Sequence, residues 1–189
     1  MQTAEALHHV KLALQVPPSK KVLQLLIQNL GGPGELVRLS DETGQELIST
    51  FKMELIALLA ADKIPGHVKA LYFGMSPVQI SDEPSWLHVM GATDFDPDSK
   101  RWTKETDDCW LPGNRYFKLR DLHLAMSRLT GTIQHATGLY VAGTLVLQSV
   151  DILKSNLPND EEIPIYVGWD DAELMLIGHV SKSSFRRAF

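Results

Sequence analysis

The sequence predicts an α+β domain over residues 1–189, with a helical N-terminal part (1–65) followed by mixed sheet and helix (66–189). Three observations predict it. Apolar residues recur at helical spacing through the first third of the chain. Two apolar stretches in the middle carry strand-type residues bounded by Pro, Ser and Asp. A long helical pattern then separates those strands from a second strand pair near the C-terminus. Helices and strands in separate runs, not in strict alternation, are the pattern of an α+β chain.

The first helix is expected over residues 4–14 and is ended by Pro17-Pro18. Ser19 can cap a second helix, its hydroxyl accepting from a free first-turn amide. Val22, Leu23, Leu26, Ile27 and Leu30 give that helix one apolar face, and 31–34 (Gly-Gly-Pro-Gly) stops it. A third helix is expected over 41–62, where Leu47, Ile48, Phe51, Leu55, Leu58 and Leu59 form a single stripe. Pro65-Gly66 ends it.

Residues 68–75 and 86–91 read as strands that can pair as an antiparallel hairpin, with the residues between them as the turn. The polar, acidic and aromatic stretch 93–114 reads as a long ordered loop, a feature often functional in compact domains. A short strand is expected at 115–118. Across 121–155, Leu122, Met126, Leu129, Ile133, Ala136 and Tyr140 step by three or four residues. Gly131, Gly138 and Gly143 argue against one unbroken helix there, since each costs ~1 kcal/mol against Ala in a helix interior. A split is expected near Thr130-Gly131. After the turn-rich 156–162, strands at 163–169 and 172–180 form a tight hairpin around Asp170-Asp171. The tail 181–189, with Lys182, Arg186 and Arg187, reads as frayed and solvated.

Composition narrows the function. With 44% hydrophobic and 22% charged residues the chain is ordinary globular material. Its 23 acidic against 18 basic residues give a formal charge of −5. Binding to a phosphate backbone draws on Lys and Arg, so nucleic acid is disfavoured and a basic protein partner is favoured. Cys109 is the single cysteine, which excludes an intramolecular disulfide and a multi-cysteine zinc site. Residues 1–5 lack the positive region of a secretory signal. The apolar stretch 139–150 is too short and too polar for the ~20 apolar residues a membrane span needs. A cytoplasmic protein with no membrane association is expected.

Complete catalytic and cofactor motifs are missing, and no cofactor is expected. There is no Gly-x-Ser-x-Gly elbow. The run 31–34 lacks the Lys-Ser/Thr ending of a phosphate loop. Cys109 follows Asp107 and Asp108, and adjacent negative charge disfavours a reactive thiolate. The histidines are scattered, and adjacent His8-His9 on a helix point to different faces.

The sharpest local pattern is the acidic segment. Asp94, Asp96, Asp98 and Glu105 fall at four of the ligand places of a calcium loop, but Ser99 stands where the sharp turn wants Gly. A solvated acidic loop is the better reading, with calcium a weaker alternative. Asp107 and Asp108 extend the acidic run, and Trp102 and Trp110 interleave with it. Aromatics beside charges suit a protein interface. Large aromatics are also strongly buried on average, which favours both indoles packing under the loop.

The segment 70–74 (Ala-Leu-Tyr-Phe-Gly), Val89-Met90-Gly91, the run 94–98 (Asp-Phe-Asp-Pro-Asp) with Trp102 beyond it, and 167–171 (Val-Gly-Trp-Asp-Asp) leading to Leu174-Met175 occur in an order. That order resembles a loosely defined group of small bacterial proteins from polymorphic-toxin gene neighbourhoods, regarded as immunity proteins. The resemblance covers about residues 67–180 and leaves the N-terminal helices outside it. It implies inhibition of a cognate toxin by direct, stoichiometric binding, with no cofactor and no catalytic residues to carry over. The partner-binding residues expected on this reading are Asp94, Asp96, Asp98, Trp102, Glu105, Asp107 and Asp108, with Asp170 and Asp171 at the hairpin tip. They would meet a toxin with a basic surface. Two other readings remain open: a small hydrolase whose carboxylates and histidine are assembled by folding, and an oligomeric adaptor joined through the N-terminal helices.

Overall fold

The computed structural model of the protein describes residues 3–33, 41–80, 83–99, 101–103, 109–120, 122, 126, 128–170 and 174–189. The N-terminal helices lie where their apolar spacing places them: α1 (Thr3–Leu14), α2 (Lys20–Asn29) and α3 (Asp41–Ala61). Ser19 caps α2 as its sequence predicts, its hydroxyl accepting from the amide of Val22 at 3.3 Å. The same helix buries Leu23, Leu26 and Ile27, the face its periodicity marks.

The strands are β1 (Ala70–Ile80), β2 (Glu83–Ala92), β3 (Tyr116–Phe117), β4 (Ile163–Trp169), β5 (Leu174–Val180) and β6 (Phe185–Arg187). They form one six-stranded sheet in the order β3-β2-β1-β4-β5-β6. The expected β1–β2 hairpin is present and longer than expected: residues that read as turn, including Pro77 and Pro84, lie within the paired strands. A register shift between Met75 and Val78 accommodates Pro77, whose missing N–H would interrupt a regular ladder. The β4–β5 hairpin is also as expected, while Asp171 at its tip lies outside the described residues.

The sheet is two antiparallel meanders, β1-β2-β3 and β4-β5-β6, joined edge to edge through a parallel β1–β4 pair. The tail is not frayed. β6 pairs with β5 from Gly178↔Arg187 to Val180↔Phe185, and the Arg187 guanidinium donates to the Leu14 carbonyl at the end of α1. Ser183 donates through its amide and hydroxyl to Asp160 at 3.0 and 2.9 Å, holding the turn into β6. Unsatisfied edge groups on β5 and these local acceptors outweigh the polarity of the tail.

Between the meanders the helical region divides into α4 (Gly131–Gln148) and α5 (Val150–Asn156), bent by 55° at Ser149. The split before Gly131 is as expected, and Gly131 takes a positive φ of 56°. Gly138 sits inside α4 for a packing reason. A Cβ there would lie 2.8 Å from Trp169 Cζ2 and 2.9 Å from Met75 Sδ, so glycine lets α4 approach the sheet. Among the described residues no single helix is long and apolar enough to cross a membrane.

All α-helices described lie on one side of the sheet. On that face Leu71, Phe73 and Met75 of β1 meet Ile165 and Val167 of β4. Phe51 of α3 seats against the sheet through Phe117 (ring centroids 4.6 Å) and Phe73 (6.1 Å). Alternation along β1 sends Ala70 and Tyr72 to the opposite face, where they join a second, smaller core. That face has no α-helix on it among the described residues, only the short 3-10 turn Arg101–Thr103. The acidic segment lies there.

Candidate binding face

The second core contains Ala70, Tyr72, Met90, Ala92 and Trp102, with Phe95, Leu111, Tyr166 and Leu174 half-buried around them. Trp102 is the centre. Its ring lies 5.0 Å from Phe95, 5.0 Å from Tyr166 and 6.1 Å from Tyr72, each in edge-to-face geometry. Such pairs contribute about 0.5–1.5 kcal/mol each beyond the area they bury. They pin the segment after β2 onto the open sheet face. Trp110 holds its far end through a two-bond bridge to Gly91, at 2.9 and 2.8 Å. Both indoles are buried, but only Trp102 packs beneath the segment; Trp110 belongs to the helix-side core, so the expectation of two indoles under the loop holds for one of them.

Pinning the aromatics leaves the carboxylates outward. Asp94, Asp96 and Asp98 are exposed, and none of the three has an ion-pair partner among the described residues. Asp96 organises a turn: its carboxylate accepts from the Asp98 amide at 3.0 Å and its carbonyl from the Ser99 amide at 3.1 Å. Among the described residues no group of three or more His, Cys, Asp or Glu side chains converges on one point. Glu105, Asp107 and Asp108 lie outside the described residues.

Asp170, at the end of β4, meets this face from the other meander. Tyr72 donates its hydroxyl to Asp170 Oδ1 at 3.2 Å, and His88 Nε2 lies 3.6 Å from the same oxygen. The parallel β1–β4 register brings Gly74 beside Gly168, and Gly74 also faces His88 across the β1–β2 ladder. A Cβ on Gly74 would fall 2.4 Å from His88 Cε1 and 2.6 Å from Tyr72 Cε1. Glycine there opens the space in which the buried His88 ring lies over the sheet. Tyr116 flanks that ring at 5.6 Å, and Arg115 lies 4.8 Å above Tyr116 while donating to its hydroxyl at 3.3 Å.

Asp170 is thus an anchored carboxylate with its side chain 37% exposed, not a free hairpin tip. Of the residues singled out in the sequence, folding brings Asp94, Asp96, Asp98, Trp102 and Asp170 to one face. Sequence reasoning missed Tyr72, His88, Phe95 and Tyr166. The alternation of Ala70, Tyr72 and Gly74 on one side of β1 was the available signal for the first. Nothing local pairs His88 with Asp170.

These features define an α+β protein with one helix-covered sheet face and one face covered by an acidic, aromatic-anchored segment. Compared with protein-family models, with curated proteins and with solved structures, the chain matches none.

Proposed function

We propose that the protein is a non-enzymatic, immunity-type binding protein that neutralises a cognate toxin by presenting the acidic face of its sheet to a basic surface. One observation carries the reading: Asp94, Asp96 and Asp98 are exposed and have no cation partner among the described residues, on a segment fixed by the buried Trp102 cluster. A fixed array of like charges speeds encounter with an opposite surface and rejects partners of the wrong sign. Because the array is held by packing before contact, binding does not have to order it. Trp102 acts in this reading as the support of the surface and Asp170 as a carboxylate at its border.

The test is titration of the toxin domain encoded beside this chain into the wild-type protein and into a triple variant, Asp94→Lys, Asp96→Lys and Asp98→Lys. The expected result is tight one-to-one binding whose association rate falls at least about 10-fold in the variant and falls steeply with salt. An unchanged association rate removes the segment from the interface. A neighbouring gene that encodes no toxin removes the immunity reading.

A second reading has one observation in its favour, the contact between the buried His88 and Asp170. A histidine oriented by a carboxylate is part of many hydrolytic sites. On this reading His88→Gln abolishes a hydrolase activity while leaving the fold intact.

A further inference from the structure

A cavity of about 130 Å³, open to the surface on one side, lies in the helical layer between α2, α3 and α4, on the side of the molecule away from the acidic face. Leu23, Ile48, Val141 and Leu145 give it apolar walls. Tyr140 lines it as well, with 4% of its surface exposed, and its hydroxyl is buried without a hydrogen bond of ordinary geometry. Buried polar groups in folded proteins are almost always satisfied, so this hydroxyl marks a place where an acceptor or donor is wanted.

Polar groups gather around that hydroxyl: Ser19 and Thr144, which act on it, also line the cavity. Ser19 is the cap of α2, so the partial positive charge of that helix end lies at the cavity wall. The first turn of α2 carries Lys20 and Lys21 and no acidic residue, the reverse of the usual preference at a helix N-terminus. Lys20, already engaged with a partner of its own, also lines the cavity, and none of the described lining residues is acidic. Burial pushes the Tyr140 phenol above its ordinary value, with the Thr144 side chain and the Ser19 backbone pulling the other way. The phenol is therefore protonated at neutral pH and able to donate.

We propose that this cavity binds a small monocarboxylate with a compact apolar body, the carboxylate accepting from the Tyr140 hydroxyl at the N-terminal end of α2 and the body lying among Leu23, Ile48, Val141 and Leu145. Size limits the class. An apolar cavity of ~150 Å³ holds one benzene ring, so an aromatic acid or short branched acid fits and a long-chain fatty acid does not.

The probe is benzoate, titrated calorimetrically into the full chain, with benzyl alcohol as the uncharged control. Saturable one-to-one benzoate binding is expected, with benzyl alcohol weaker. Tyr140→Phe is expected to weaken benzoate about 10-fold or more, the usual effect of losing a hydrogen bond to a charged group. Gly44→Phe fills the cavity from α3, where a Cβ meets nothing within 4 Å, and is expected to abolish binding. No saturable binding at millimolar benzoate overturns the proposal. Equal affinity for benzyl alcohol, undiminished binding by Tyr140→Phe, or retained binding in a folded Gly44→Phe variant does so too.

Discussion

Two atoms decide much of the candidate face: the hydrogen that stands for a side chain at Gly74, and the hydroxyl of Tyr72. Adding a methyl group at Gly74 places carbon within 2.4–2.6 Å of the His88 and Tyr72 rings, both of which are buried. Neither ring is a flexible chain end. Gly74→Ala should therefore destabilise the fold by about 1–3 kcal/mol, the usual cost of overpacking. At this chain length each kcal/mol lowers the melting midpoint by roughly 2–4 °C. A melting curve matching wild type would mean that His88 has room to swing away from β1. Tyr72→Phe is gentler, because it keeps the ring contact with Trp102 and removes the donor to Asp170. A loss of about 0.5–1.5 kcal/mol is expected from denaturant titration. His88 remains beside Asp170 in that variant, so the carboxylate keeps one neighbour.

At the scale of elements, legibility followed locality. α2 could be read to within a residue because its cap, its apolar face and its stop are all encoded within the segment itself. The break before Gly131 was legible for the same reason, since a positive φ is a local demand. β6 was not. Its residues, Phe185–Arg187, are too few and too polar to carry an alternating pattern, and their pairing is set by β5, by Asp160 and by Leu14. The candidate face divides along the same line. Asp94, Asp96 and Asp98 are a local composition signal, whereas the meeting of Tyr72, His88 and Asp170 depends on the parallel β1–β4 pairing, which no short segment specifies. The dependence of β6 on its neighbour is open to test. A Cβ on Gly178 would lie 2.5 Å from the Arg186 carbonyl oxygen and 2.7 Å from Phe185 Cε2. Gly178→Ala should peel β6 from β5, raising amide exchange at Arg186 and Ala188 while α1 and α4 keep their protection. Uniform loss of protection would show instead that β6 is part of the global folding unit.

For the whole molecule, the two sides of the fold should fail at opposite ends of the pH scale. On the acid side, the Ser183 hydroxyl and amide hold the Asp160 carboxyl below its ordinary value, and the Arg186 guanidinium does the same for Glu162. A carboxyl depressed in the folded state contributes stability above its unfolded value, and that contribution is lost as pH falls through the folded value. The loss should begin below about pH 4 and should appear first in the turn and strand those groups secure, residues 181–187. Asp160→Asn removes the Asp160 part of this dependence. On the alkaline side, burial raises the Tyr140 and Tyr166 phenols. A phenol raised in the folded state contributes fully below its unfolded value and loses that contribution as pH climbs through the folded one. Stability should therefore decline above about pH 10, and Tyr140→Phe should flatten that decline. Denaturant midpoints measured from pH 3 to pH 11 on the wild type and the two variants separate the limbs. If Asp160→Asn leaves the acid limb unchanged, Ser183 is not what anchors the C-terminal meander, and the pairing of β6 with β5 holds it alone.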